Sequence, residues 1–181
     1  CQPDGAGVLI RDLDHDGKND TVVSSRGVVT VTDGRGHVRS QIRPFGARYT
    51  DRLSVATAQL VAGKNAVLVI APQTAISQYV KVYSMDGVFL FQFSPFGRTI
   101  PGGFYVGAGD VNPDGRDELM VGAGKGWKPV VRTFDQKGIP VSEFLAYGRG
   151  FRGGVRIAVG DLNGDGRVEI VTGAGPGGGP H

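Results

Sequence analysis

Three short segments of this chain carry acidic and amide side chains at the same spacing. They run from Asp12 to Asp20, from Asp110 to Glu118 and from Asp161 to Glu169. Each has an oxygen-bearing side chain at positions 1, 3, 5 and 9 and a glycine at position 6, a spacing that wraps a tight turn around one hard cation. Calcium fits this pattern because it binds roughly six to eight oxygen ligands, and the backbone carbonyl of position 7 can supply one of them.

The three segments differ from EF-hand loops, and their flanks predict strands. An EF-hand requires a glutamate at position 12, where this chain has Val23, Val121 and Thr172. Short runs of β-branched and aromatic residues precede and follow every segment, so each is predicted to be the turn of a β-hairpin. For a single segment, a turn held by Asx hydrogen bonds is the alternative interpretation. Three copies in the same register favour the cation.

An internal repeat of about 51 residues organises the rest of the chain. Phe45-Gly46, Phe96-Gly97 and Tyr147-Gly148 recur at this interval. One interval before Asp110 lies Gln59, which opens a degenerate copy of the acidic segment without any carboxylate, so this copy is predicted to bind no metal. Each repeat is predicted to form four strands, which in the third repeat cover 104–110, 118–123, 130–134 and 139–146.

Four antiparallel strands in about 50 residues are typical of one propeller blade. The sequence predicts an all-β fold, a β-propeller of four-stranded antiparallel blades in one repeat domain, 1–181. Three blades are complete and half of a fourth is present; the predicted blades are 8–52, 53–103, 104–154 and 155–181. Because propellers close with about four to eight blades, we expect additional blades from the rest of a longer chain or from another subunit.

The run from Phe96-Gly97 through Asp110 to Gly124 resembles the FG-GAP repeat of integrin α-subunit propellers and the related bacterial repeats often called VCBS. The resemblance extends over essentially the whole chain, and it implies that each acidic segment joins the first two strands of a blade and holds calcium. The implied ligands, with position 7 acting through its backbone carbonyl, are Asp12, Asp14, Asp16, Lys18 and Asp20; Asp110, Asn112, Asp114, Arg116 and Glu118; and Asp161, Asn163, Asp165, Arg167 and Glu169. Two departures from the family pattern are Gly124, where proline is usual, and the second repeat without ligands, so three calcium ions are expected.

The charges of the chain are unevenly distributed. It has 20 lysines and arginines against 17 aspartates and glutamates, and ten of the acids stand at the side-chain positions of the three segments. Three bound calcium ions would raise the formal net charge from +3 to about +9. Fourteen of the cations are arginines, which suit bidentate contacts with carboxylate, sulfate or phosphate. We therefore expect a basic surface that binds a cell-surface protein or an anionic polysaccharide; scattered solvated arginines are the alternative.

The favoured function is a non-catalytic, calcium-stabilised extracellular module for adhesion or for binding a ligand or protein. One alternative is a carbohydrate-binding lectin in which Trp127 stacks on a sugar, and another is an accessory domain of a secreted polysaccharide-degrading enzyme. The chain itself is predicted not to be an enzyme, because the sequence shows no nucleophile–base pair and no clustered acid–base residues. No specific nucleic-acid binding is expected.

The start of the chain bears on its location. A cysteine at position 1 before Gln2-Pro3-Asp4-Gly5 is typical of the lipid-modified end of a bacterial lipoprotein, and an arbitrary fragment boundary is the alternative. No run of 18 apolar residues occurs, so no transmembrane segment is predicted. We expect the protein to be secreted or held at the cell surface, where calcium is plentiful enough to fill weak sites.

Overall fold

The computed structural model describes residues 7–178, and Cys1, the expected lipid-anchor position, lies outside this range. Residues 7–178 form fourteen strands in four antiparallel sheets and contain no helix. Sheet 1 contains β1 (Gly7–Arg11), β2 (Asp20–Ser25), β3 (Val28–Thr32) and β4 (Val38–Ile42). Sheet 2 contains β5 (Leu53–Ala58), β6 (Val67–Pro72), β7 (Val80–Ser84) and β8 (Phe89–Phe93). Sheet 3 contains β9 (Phe104–Gly109), β10 (Glu118–Ala123), β11 (Val130–Phe134) and β12 (Pro140–Leu145), and sheet 4 contains β13 (Val155–Gly160) and β14 (Glu169–Ala174).

Within each sheet, the strands pair in chain order through consecutive hairpins. The first two strands of the four sheets are joined by loops of equal length, which we name loop 1 (12–19), loop 2 (59–66), loop 3 (110–117) and loop 4 (161–168). The position-9 carboxylate residue begins the strand that follows and is grouped below with its loop: Asp20 with loop 1, Glu118 with loop 3 and Glu169 with loop 4. The four strands predicted for 104–146 are found as β9 to β12, and the predicted hairpins around the acidic segments are confirmed. No helix in the described range is long and apolar enough to cross a membrane.

The turn between the third and fourth strands has the same structure in all three complete sheets. Gly36, Gly87 and Gly138 have φ values of 89°, 82° and 78°, which side chains other than glycine rarely adopt. Next to each turn the strand register shifts by one residue, which marks a β-bulge. The 51-residue spacing of these glycines therefore reflects a repeated turn geometry.

A second repeated contact holds the connection between successive sheets. Lys81 of β7 and Arg132 of β11 occupy equivalent positions, and each places its cation 5.2 Å from the ring centre of Phe45 or Phe96 respectively. The same two cations donate hydrogen bonds to the carbonyl of the proline that precedes the ring, at 2.8 and 2.7 Å. The aromatic-glycine pairs of the sequence are thus part of a structural clamp.

The sheets stack face to face so that their first strands line one shared cleft. β1, β5, β9 and β13 each contribute three residues to its wall. One apolar cluster lies between sheets 1 and 2 and includes Leu68 and Ile70, while a larger one between sheets 2 and 3 includes Phe104 and Phe134. This is the arrangement of propeller-like blades, in which the side chains are buried between sheets.

The strand directions give the stack two different ends. Loops 1 to 4 and the turns between third and fourth strands lie at one end, which we call the loop end. The remaining connections lie at the opposite end, which we call the corner end; they are residues 26–27, 43–52, 73–79, 94–103, 124–129 and 146–154. Strands of five or six residues separate the two ends by about 17–20 Å.

We expect the contact between sheets 2 and 3 to dominate stability. Phe104 is 0% exposed and stacks on Phe96, so Phe104→Ala should lower the free energy of unfolding by about 3–5 kcal/mol. Phe89 is 49% exposed, and Phe89→Ala is the matched control with an expected loss below about 1 kcal/mol. Urea denaturation of the two variants measures the difference, and equal losses would contradict this account of the core.

Candidate metal centre

Loops 1, 3 and 4 share one set of hydrogen bonds that holds their carboxylates in place. In each, the position-9 carboxylate accepts the backbone N–H of position 2, and the position-1 carboxylate accepts that of the glycine at position 6. The position-5 carboxylate accepts the N–H of position 7. The N···O distances are 3.0, 3.0 and 2.9 Å in loop 1, 3.1, 2.7 and 2.9 Å in loop 3, and 2.8, 2.9 and 2.8 Å in loop 4. The backbone thus directs three side chains of each loop without any cation.

Loop 1 gathers three carboxylates at one point. Asp12, Asp14 and Asp20 each place a carboxylate oxygen within 4.8 Å of the others, and Asp20 is only 1% exposed. The Oδ1 atoms of Asp12 and Asp14 are buried and have no hydrogen-bond partner. Buried carboxylate oxygens need a donor or a cation, so the residues present fit a hard divalent ion such as calcium. Asp16 is exposed and lies outside this group.

An arginine that no sequence pattern indicated binds a carboxylate of loop 1. Arg39 of β4 donates from Nη1 to Asp14 Oδ2 at 2.7 Å and from Nε to Asp86 Oδ1, in the β7–β8 turn of the next sheet, at 2.8 Å. The guanidinium therefore occupies one oxygen of Asp14 and leaves Oδ1 without a hydrogen-bond partner. It also ties loop 1 to sheet 2. No sequence motif marks Arg39, because its partners are brought together only by the fold.

Loops 3 and 4 hold their position-9 glutamates in a different way. Asn112 Nδ2 donates to Glu118 Oε1 at 3.0 Å, and Asn163 Nδ2 donates to Glu169 Oε1 at 3.3 Å. An amide at position 3 therefore takes an oxygen that a cation would need, and within residues 7–178 only loop 1 brings three carboxylates within 4.8 Å. Cation binding by loops 3 and 4, including the carbonyls of Arg116 and Arg167, stays a prediction, as does the carbonyl of Lys18.

The negative charge of loop 3 shows in its buried glutamate. Burial raises the pKa of Glu118, and the nearby charges of Asp114 and Asp110 raise it further, while hydrogen bonds from Val111 and Gln136 oppose the rise. The neighbouring groups therefore compensate the charge of the Glu118 carboxylate only in part. A bound divalent cation would supply that charge and favour the ionised form.

Loop 2, which lacks carboxylates, serves as a bridge between its neighbours. The Gln59 N–H donates to Asp117 Oδ2 of loop 3 at 2.7 Å, and the Asp117 N–H donates back to the Gln59 carbonyl at 2.9 Å. On its other side, the Ala66 N–H donates to the carbonyl of Leu13 in loop 1 at 3.0 Å. Loops 1 to 3 are thus linked by hydrogen bonds across the sheets. Asp117 has this bridging role and was not recognised from the spacing.

Trp127 is less open than a sugar-stacking side chain would be. It packs partly against the core between sheets 2 and 3, and the Arg98 guanidinium lies 5.2 Å from its ring centre. One ring face is therefore already in contact with a cation. The structure thus gives the lectin alternative no specific support at this residue.

Comparison with known proteins identifies one segment of the chain. Residues 153–180 match the family model described as the FG-GAP repeat. The matched segment contains β13, loop 4 and β14, so the resemblance drawn from the sequence is confirmed for residues 153–180. Loops 1 and 3 share the hydrogen-bond set of loop 4. An FG-GAP repeat suggests a β-propeller binding module.

Searches of curated proteins and solved structures add little to the FG-GAP match. No curated protein matches the chain. A crystal structure at 1.35 Å resolution of a protein of unknown function from Bacteroides caccae is 13% identical, with a TM-score of 0.49. The similarity covers 87% of this chain and 51% of that one, so this chain spans about half the length of that protein.

We expect the hydrogen-bond set shared by loops 1, 3 and 4 to stabilise the fold even without metal. Glu118 is 4% exposed, so Glu118→Ala leaves the part-buried Val111 N–H without its acceptor and should cost about 1–3 kcal/mol in EDTA. Glu169→Ala removes the equivalent bond in the more exposed loop 4, where water can replace it, and should cost less than about 1 kcal/mol. Chemical denaturation in EDTA compares the two variants; no loss for Glu118→Ala would show that the hydrogen bonds contribute nothing alone.

Proposed function

We propose that this chain is a non-catalytic, calcium-stabilised β-propeller module that acts outside the cell in adhesion or ligand binding. The observation that carries the proposal is the group of Asp12, Asp14 and Asp20 in loop 1, with two buried oxygens that lack a partner. The shared hydrogen-bond set supports calcium in loops 3 and 4 as well, after the amides of Asn112 and Asn163 turn away from the glutamates.

The role proposed for calcium is structural. Each ion would neutralise carboxylates held at the end of a hairpin, and loop 1 is tied to sheet 2 through Arg39, so an ion in loop 1 would also strengthen contacts between sheets. Exposed extracellular sites bind calcium at about 10⁻⁴–10⁻³ M, which is a range filled outside cells and not in cytosol. This affinity range supports a secreted or surface location.

The position of the basic residues supports an anionic partner at the corner end. The corner-end connections contain nine lysines and arginines and one acid, Asp51, whereas the loop-end connections within the described range contain six basic and eleven acidic residues. All nine basic side chains belong to exposed residues: Arg26, Arg43, Arg48, Arg52, Arg98, Lys125, Lys128, Arg149 and Arg152. A strand length of about 17–20 Å exceeds the screening length of about 8 Å at physiological salt, so this basic surface exists largely independently of calcium.

We propose a sulfated or carboxylated polysaccharide, or an acidic segment of a cell-surface protein, as the partner of this surface. Arginine binds both anions in a bidentate manner, and the separation of charges along the stack would orient the molecule on an anionic polymer with its acidic loops pointing away.

Calcium should stabilise the chain measurably. Sites of the expected affinity would each contribute about 1.5–2.5 kcal/mol at about 10 mM calcium, so the melting temperature should rise by at least about 5 °C relative to EDTA. Asp12→Asn keeps the size of the side chain but removes one ligand charge, and it should reduce this rise by about a third. Asp51→Asn, at an exposed position outside the loops, is the matched control and should leave the rise unchanged. Equal melting temperatures in calcium and in EDTA would contradict the calcium proposal.

Polymer binding should depend on the corner-end arginines. Charge reversal at two of them, Arg48→Glu with Arg149→Glu, should weaken binding to dextran sulfate at least about tenfold at about 0.15 M salt. The same change at two exposed loop-end cations, Arg35→Glu with Lys137→Glu, should weaken it less than about twofold. Binding is measured with immobilised polymer, with neutral dextran alongside. Equal effects of the two double variants would contradict a corner-end site, and binding to neutral dextran would favour the lectin alternative.

A further inference from the structure

A groove opens at the corner end between sheets 1 and 2. It has a volume of about 360 Å³ and lies between two connections, residues 43–52 and residues 73–79. Both flanking sheets have four strands, so both walls of the groove are complete. The residues that matter for its chemistry are Phe45, Arg48, Tyr49, Asp51, Thr74 and Ile76.

The equivalent connections between sheets 2 and 3 lie against each other. The Gly102 N–H donates to the Lys125 carbonyl at 2.8 Å. A Cβ atom added at Gly102 would collide with the backbone nitrogen of Lys125, and one added at Gly126 would lie 3.3 Å from Pro101 Cγ. Glycine at 102 and 126 therefore lets the two connections make close contact.

The connections between sheets 1 and 2 carry side chains at these two positions. Asp51 and Ala75 stand one 51-residue repeat before the two glycines. Within residues 7–178 no backbone hydrogen bond joins Asp51 to Thr74, although the neighbouring bond, from the Gln73 N–H to the Arg52 carbonyl, is kept at 3.1 Å. The extra Cβ atoms hold the connections apart, so the groove follows from two departures of the sequence from its own repeat.

An indole ring stands at the closed junction in the position that is open here. Trp127 packs partly against the apolar cluster between sheets 2 and 3, and the Arg98 guanidinium lies 5.2 Å from its ring centre. The residue one repeat earlier is Ile76, which is 58% exposed and borders the groove. The groove thus lacks the ring that the chain itself supplies at the next junction.

We propose that the groove binds a tryptophan side chain within an acidic segment of a partner protein. Phe45 and Tyr49 form an aromatic wall, with ring centres 5.6 Å apart and an edge-to-face geometry. The indole N–H is a donor only, and the exposed Asp51 carboxylate is an acceptor at the rim. The exposed Arg48 and Arg52 supply positive charge for the acids beside the tryptophan. This inference rests on the proposed function, since it names the partner of the basic corner end.

Two labelled peptides test the proposal on the unmodified full chain. One has a tryptophan flanked by two aspartates on each side, and the other has alanine in place of the tryptophan. Fluorescence anisotropy should show that the tryptophan peptide binds at least about tenfold more tightly, because only it buries a ring in the groove. Arg48→Glu should weaken the binding of both peptides. Equal binding of the two peptides to the unmodified chain overturns the proposal.

A variant that fills the groove from within gives a second test. Ile76→Trp places an indole at the position equivalent to Trp127, and it should abolish the preference for the tryptophan peptide. Val88→Trp adds the same ring at a 60% exposed position in the β7–β8 turn, at the loop end, and should keep the preference. Circular dichroism confirms that both variants are folded. A preference that persists in folded Ile76→Trp overturns the proposal.

Dextran sulfate separates a failure of this proposal from a failure of the proposed function. If dextran sulfate binds but the two peptides do not differ, the tryptophan site is wrong and the anionic partner at the corner end stands. If Ile76→Trp also abolishes binding of dextran sulfate, the groove takes a polysaccharide and the tryptophan occupant is wrong. If neither the polymer nor either peptide binds, the anionic partner and the tryptophan site are both wrong.

Discussion

Burial of apolar side chains between neighbouring sheets is the constraint on which this structure depends. No sheet has a core of its own: Leu68 and Ile70 are buried against sheet 1, and Phe104 and Phe134 against sheet 2. A repeat of about 50 residues cannot bury its two faces alone, so each blade is stable only through its neighbours. The clamps of Lys81 and Arg132 reinforce this stacking by tying each connection to the following sheet.

The acidic loops are hairpin turns that have a defined shape without a bound cation. Their carboxylates accept hydrogen bonds from backbone N–H groups of the same turn, so the loop geometry forms without a metal. The consequence is a set of like charges held close together in loop 1, where Arg39 compensates only one oxygen of Asp14. Loop 2 has the same length but no carboxylates. It is held instead by hydrogen bonds to loops 1 and 3.

The strand order also separates the charges of the molecule. Successive hairpins return every acidic loop to one end, and they bring the arginine-rich connections to the other end. A net charge of +3 therefore describes neither end. Calcium and an anionic partner would act at opposite ends, so the two parts of the proposed function can be examined separately.

The sequence by itself determined the strands, the acidic turns and the repeat, because alternation of β-branched residues and turn chemistry at glycine are local properties. It predicted the positions of β9 to β12 and the FG-GAP resemblance. Tertiary structure alone decided which carboxylates meet, and it added Arg39 and Asp117 to the loops. Arg39 lies 25 residues from Asp14, and Gln59 lies 58 residues from Asp117, so these contacts follow from the stacking of sheets and leave no local pattern in the chain.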